Sequence, residues 1–176
     1  MEKSPLHTQD QNGPAKQSGG VIIGRAKAMK NTANLPEILW PEMITCAAYL
    51  LNRSPTKSLN WETPIGYLER LSGNQNSQPS LNYLVLYRCR AYSYIKKQPK
   101  LDRLEPRAHI GYLVGYISTN VFRIWIPSQK TIVETRDVVF DVTKRYNPQD
   151  NQLYAPLEVL EVLQEISLEI DNSVED

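Results

Sequence analysis

The chain is poor in the residues from which small catalytic and metal centres are usually made. Among 176 residues there are 2 cysteines and 2 histidines. Cys46 and Cys89 read as one helix and one strand residue, with neither zinc-ligand spacing nor a disulfide framework, which favours a reduced compartment. His7 and His109 stand far apart in sequence with no thiol or carboxylate at ligand spacing, so both read as ordinary surface or sheet residues. No apolar run approaches the ~20 residues that span a bilayer. No secretory leader pattern is present either. These absences give the expectation of an intracellular protein, nuclear or cytoplasmic, without membrane contact. Positive charge is missing from one region altogether. All 20 Lys and Arg lie at or before Arg145, whereas 8 of the 19 acids lie from Asp150 onward, so residues 1–149 carry a net +9 and the rest −8. A basic body followed by an acidic appendix points to an anionic partner for the body.

What is present divides along the chain. Residues 1–14 are polar, contain Pro5, Gly13 and Pro14, and read as a loose lead-in. Val21, Ile22, Ala26 and Met29 share one helical face, which predicts a helix over about 18–33 despite Gly19, Gly20 and Gly24. Pro36 suits a first helical turn, and Leu39, Met43, Ala47 and Leu51 then repeat every four residues until Pro55 ends the run. Thr63-Pro64 offers an N-cap with proline at the first helical position, and Ser72-Gly73 stops that third helix. Trp40 and Trp61 read as packing anchors. Residues 73–82, rich in Asn, Gln, Ser and Pro, read as a linker.

From 83 to 142 the chemistry is that of strands. Tyr, Val, Ile and Thr are dense, and turn residues recur at Lys97-Gln98-Pro99, Ser118-Thr119-Asn120 and Pro127-Ser128-Gln129. Five short strands at this spacing suit a small closed barrel with Trp125 in its core, and Gly111 and Gly115 relieve crowding at its bends. Residues 143–176 form an acidic, partly disordered tail with a weakly amphipathic helix around Leu157, Leu160 and Leu163. Neither Ser18-Gly19-Gly20 nor Gly111 to Gly115 has the Lys-Ser/Thr ending of a phosphate loop or the three-glycine spacing of a dinucleotide fold.

Several motifs in order carry a resemblance. Asn12-Gly13-Pro14-Ala15-Lys16-Gln17-Ser18-Gly19-Gly20 resembles the start of the catalytic helix of copia-type retrotransposon integrases, where the pattern is Asn-Gly-x-Ala-Glu-Arg, often with Ser-Gly-Gly after it. Leu35-Pro36-Glu37-Ile38-Leu39-Trp40-Pro41-Glu42 and Ala47-Ala48-Tyr49-Leu50-Leu51-Asn52-Arg53-Ser54-Pro55 are similar to the last helices of that core. Cys89-Arg90-Ala91-Tyr92, Lys100-Leu101-Asp102, Gly111 to Tyr116, Phe122-Arg123-Ile124-Trp125 and Arg136 to Phe140 are similar to the SH3-like barrel that follows it. The resemblance covers roughly residues 4–142. It implies an α+β chain, in which the C-terminal helices of a truncated RNase H-like integrase core, at 15–72, precede an SH3-like β-barrel at 83–142. In the family a Glu completes an Asp-Asp-Glu triad holding divalent magnesium. Lys16 occupies that Glu position, and the two aspartates would lie before residue 1. Hard cations require oxygen ligands, and an ammonium supplies none. The expectation is therefore no catalytic residue, no metal site and no cofactor.

The remaining candidate site is basic. Arg88, Arg90, Lys96, Lys97, Lys100, Arg103 and Arg107 face only Asp102 and Glu105 nearby, and Tyr87, Tyr92 and Tyr94 are interleaved with them. Such clusters attract phosphate backbones through counterion release, while tyrosines can stack on bases. The partner so implied is nucleic acid, DNA or RNA. The alternative is a solvated loop whose tyrosines face the barrel core, which would leave a protein-interaction or structural module without nucleic-acid contact. The family pattern has Gly at position 88, so Arg88 falls where a bend favours φ > 0.

Overall fold

A computed structural model of the chain describes residues 13–73, 80–95 and 108–148, and these divide into two compact units, the first within 1–80 and the second within 81–176 apart from residues 33–35. The first unit holds α1 (Gly13–Ala33), α2 (Trp40–Asn52) and α3 (Pro64–Leu71), with short 3-10 turns at Glu37–Leu39 and Lys57–Leu59. The second holds β1 (Cys89–Tyr94), β2 (Ala108–Tyr116), β3 (Phe122–Ile126), β4 (Thr131–Thr135) and β5 (Val138–Arg145). The polar lead-in up to residue 12, most of the linker, the turn at 97–99 and the tail beyond 148 lie outside the described residues, while residues 143–145, read as the start of the tail, continue β5.

α1 starts five residues earlier than periodicity predicts and runs through all its glycines. It is thinly packed, and before Thr32 Ala26 is its only buried side chain among those described. A continuous helix from Pro36 does not form. Pro41 has no N–H and its ring would collide with the carbonyl one turn back, so the chain makes a 3-10 turn at 37–39 and restarts at Trp40 with Pro41 inside the first turn. The predicted stripe holds over Leu39, Met43 and Ala47, which are buried with Cys46, while its last member, Leu51, is only half-buried. Arg53 N and Ser54 N donate to the carbonyls of Leu50 and Leu51, both at 3.1 Å, before Pro55 turns the chain away. The Thr63 hydroxyl accepts from the backbone of Gly66 at 3.1 Å, which caps α3, and Gly73 closes it at φ +93°. Arg70 grips Glu62 with two hydrogen bonds, of 3.2 and 2.9 Å. The tryptophans depart from expectation. Trp40 is 59% and Trp61 71% exposed, the latter because Asn60 and Trp61 both take left-handed backbone in the turn that brings Thr56 back to Glu62.

The strands form one antiparallel sheet in the order β4-β3-β2-β1-β5. Hairpins join β2 to β3 through Ser118–Asn120 and β3 to β4 through Pro127–Lys130, the two described turns read from sequence. β4 and β5 are joined by Arg136 and Asp137 alone and do not pair, so β5 crosses to the far edge against β1. Strands three places apart in a flat sheet would stand about 14 Å from one another. The rings of Phe122 on β3 and Phe140 on β5 nevertheless meet at 5.0 Å, which means the sheet curls until its face closes on itself. Leu113, Ile124 and Ile126 fill that face. Trp125 is buried too, but alternation puts it on the opposite face, where Tyr112 and Tyr146 pack around it. The lead-in to β1 is tied down by Tyr116, whose hydroxyl bonds both the carbonyl and the N–H of Val85.

Gly111 is the tightest backbone approach in the sheet. A Cβ there would lie 2.4 Å from Ile124 Cγ2 and 2.9 Å from the Trp125 carbonyl oxygen. At Gly115, beside the bulge between Leu113 and Gly115, the nearest atom is the flexible stem of Arg123 at 3.4 Å. Gly111→Ala is therefore expected to destabilise the protein by about 1–3 kcal/mol through overpacking, whereas Gly115→Ala costs under about 1 kcal/mol; urea midpoints of the two variants check this. The thiols give a second expectation. Burial pushes both Cys46 and Cys89 up to about 12 from an ordinary value of 9. The folded chain keeps protons that the unfolded chain releases above pH 9, so their contribution to stability is complete below pH 9 and is lost as pH rises toward 12. Chemical denaturation across that range should show a steeper fall for the wild type than for the Cys46→Ala, Cys89→Ala double variant.

Candidate nucleic-acid interface

Five of the seven predicted basic residues, Lys96, Lys97, Lys100, Arg103 and Arg107, lie outside the described residues. The other two, two positions apart in the chain, go to different environments. Arg90 points into the protein: it is 4% exposed, stands in register with Tyr112, and hydrogen-bonds the phenol. Burial raises the Tyr112 pKa and the neighbouring guanidinium opposes that rise. A side chain so enclosed offers no surface to a phosphate backbone. Its partner in the cluster is half-buried Arg88, which adopts left-handed backbone at φ +68° and donates its N–H to the Leu113 carbonyl at 2.9 Å. The bend anticipated at this position is thus real and is made by an arginine.

Residues that sequence reasoning passed over surround Arg88. β5 breaks register between its pairing with Arg90, through Asp141, and its pairing with Cys89, through Arg145. The extra residues are held by Asp141, whose Oδ1 accepts from the Thr143 N–H at 3.0 Å and the Thr143 hydroxyl at 2.6 Å. Those bonds hold the Asp141 carboxyl below its usual range. The excursion returns Arg145 to the start of β1, where burial first and the Arg145 charge second lower the Arg88 pKa. The turn-forming Asp-x-Thr of residues 141–143 was the available signal; it was hidden by its place within a run that reads as strand.

The other described cations of this unit are partly engaged. Arg123 pairs with Glu134, and Lys144 reaches Asp141 at 3.6 Å, while Lys130 and Arg136 are exposed. Counting all described residues from 81 onward, seven Lys and Arg face three acids. His109 contacts Gln129 at 3.0 Å, and burial lowers its pKa. In the helical unit Lys16 is exposed on the first turn of α1, a helix with no acidic residue. Among the described residues no three His, Cys, Asp or Glu side chains are grouped as a metal site, and none of the helices is long and apolar enough to cross a membrane.

With this geometry in view, residues 89–153 match the family described as the retroviral polymerase SH3-like domain. The sheet is that domain. The chain is 31% identical over 140 residues to the retrovirus-related Pol polyprotein from transposon TNT 1-94 of Nicotiana tabacum, an alignment covering 79% of this chain and 10% of that protein. It is 31% identical over 101 residues to the corresponding polyprotein from transposon RE1 of Arabidopsis thaliana, covering 56% and 6%, and 26% identical over 140 residues to that from transposon RE2, covering 78% and 9%. The chain thus corresponds to a short stretch of a retrotransposon Pol polyprotein, spanning a tenth or less of the relatives' length. No solved structure matches it.

Arg90→Ala should lower stability by about 1–3 kcal/mol, because it leaves a buried phenol without its partner. It should leave the salt dependence of any nucleic-acid binding unchanged. Urea denaturation and a binding titration on the same variant check both halves.

Proposed function

We propose that the chain is a catalytically inactive relative of retrotransposon integrases that retains nucleic-acid binding through its SH3-like domain. The observation that carries the first half is Lys16. Where the integrase pattern places the metal-binding Glu, the first turn of α1 presents an ammonium, and no acid on α1 can replace it. These residues do not fit a magnesium ion, so no phosphoryl-transfer step runs through them. The excess of cations in the SH3-like unit supports the second half, since phosphate neutralisation releases counterions whatever the base sequence. Binding of this kind needs no metal.

One observation favours a different reading. A groove of about 200 Å³ runs between α1 and α2, lined by Ile23, Ala26, Lys27 and Lys30 on one side and Trp40, Met43 and Ile44 on the other. Trp40 and Ile23 remain largely exposed there, as do Ile38, Trp61, Leu68 and Leu71 elsewhere in the helical unit. Exposed apolar surface of this extent suits a protein partner.

Titration of the purified chain with labelled duplex DNA and single-stranded RNA across a salt series separates the two. Affinity should fall steeply with salt, and replacing Lys96, Lys97, Lys100 and Arg103 by alanine should reduce it. Absence of binding at low salt would refute the nucleic-acid reading. Lys16→Glu should give no magnesium-dependent nicking of DNA, yet should raise stability by a few tenths of a kcal/mol by matching the positive end of α1; thermal melts and a plasmid-nicking assay check the pair of expectations.

A further inference from the structure

Arg88 is in a backbone conformation that costs a non-glycine residue about 1–2 kcal/mol. Such strain persists only where neighbouring structure enforces it, and here the enforcing bond is the 2.9 Å link to the Leu113 carbonyl. The conformation places half-buried Arg88 one residue before the point where β1 pairs with the end of β5. On that side β5 has been bulged by the Asp141–Thr143 turn, so that Arg145 returns to pair with Cys89, the residue next to Arg88. Two arginines are therefore brought to the start of β1 by two separate backbone irregularities, near enough for the charge of one to act on the other. Neither makes an ion pair with an acid among the described residues. Like charges held this way repel each other, and a bridging anion turns that repulsion into attraction. Planar guanidinium forks favour the oxygens of a phosphate.

The residue that follows Arg145 in the chain is aromatic. Tyr146 is half-buried and packs edge-on against Tyr112 at 5.1 Å and Trp125 at 5.2 Å. Those two buried rings fix its position while part of it stays open to solvent. A phosphate-binding pair next to an anchored, partly exposed ring is the combination that holds unstacked nucleotides, since every base has a face to stack. A duplex keeps its bases stacked on one another and gains only from the charges.

We propose that Arg88, Arg145 and Tyr146 form a binding site for single-stranded nucleic acid, with the arginines on a backbone phosphate and the tyrosine against a base or sugar. This site rests on the nucleic-acid reading above and uses none of the basic residues 96–107.

The test uses the full chain and fluorescence anisotropy with a labelled single-stranded oligonucleotide and its duplex form, over a salt series. Arg88→Gly is the informative variant. Glycine accepts φ +68° freely, so this change should relieve strain and hold or raise the melting temperature while weakening single-strand binding about three- to tenfold and flattening the salt slope by about 0.7. A side chain with a merely structural role would not separate stability from affinity in this way. Arg145→Gln should weaken binding comparably, and Tyr146→Leu should cost about fivefold or more on the single strand with little effect on the duplex.

If Arg88→Gly and Arg145→Gln bind as the wild type does while the alanine variant of residues 96–103 loses binding, this site is refuted and the general reading stands. If the wild type binds nothing at low salt, both fall. Displacement of the oligonucleotide by inorganic phosphate at matched ionic strength, with Tyr146→Leu unaffected, would overturn the single-strand assignment by showing a simple anion pocket.

Discussion

Closure of the five-stranded sheet depends on how near β2 can come to β3. At Gly111 the two strands approach until a single methyl group would strike both an isoleucine side chain and a carbonyl oxygen. That proximity lets the sheet curl tightly enough for Phe122 to reach Phe140 across two intervening strands. The curl in turn fixes where β1 and β5 run, and their pairing decides which side chains meet at the start of β1.

The two faces of the sheet serve different ends. Leu113, Ile124 and Ile126 lie on the enclosed face, whose burial supplies most of the apolar stabilisation of so small a unit, at roughly 1.5–3 kcal/mol for each large side chain. The opposite face carries Arg90, Tyr112 and Trp125 in one register row. These are amphipathic side chains with polar atoms that require partners, and Arg90 and Tyr112 supply one to each other. The result is a buried, polar-edged aromatic platform on which Tyr146 is set. Burying Arg90 removes it from ligand contact and makes it part of the support for a neighbour that can reach solvent.

Much of the fold was legible because it obeys local rules. Thr63-Pro64 and Ser72-Gly73 fix the ends of α3 by capping chemistry that no tertiary contact overrides. The turns at 118–120 and 127–130 are set by short polar sequences between apolar runs. The Leu39, Met43, Ala47 stripe marks the buried face of α2, although the Pro41 break within it was misread as helix, because Pro36 offered an equally good start. What was not legible depends on pairing. Sequence spacing groups Arg88 with Arg90, two residues apart on what should be one face; a left-handed bend and a register shift between Cys89 and Arg90 send them in opposite directions. Trp40 and Trp61 were read as anchors from size alone, and size does not say whether anything covers them.

Lys16 and Arg88 pose the same question with different answers. Each is a cation where the integrase-like pattern has another residue, and each costs stability, Lys16 against the positive end of α1 and Arg88 through its backbone. Lys16 is exposed and makes no hydrogen bond or ion pair among the described residues, so nothing offsets its cost. On the reading proposed above, a change of that kind is tolerated because the position has no catalytic work to do. Arg88 differs in its surroundings: the Leu113 carbonyl accepts from its N–H at the bend, the Asp141 turn precedes the return of Arg145 to pair with Cys89, and Tyr146 next in the chain is packed on Tyr112. Random drift readily produces an isolated substitution such as Lys16. The phosphate site proposed above would give these features a common use, since a phosphate has the charge and the oxygen geometry that two guanidinium groups accept.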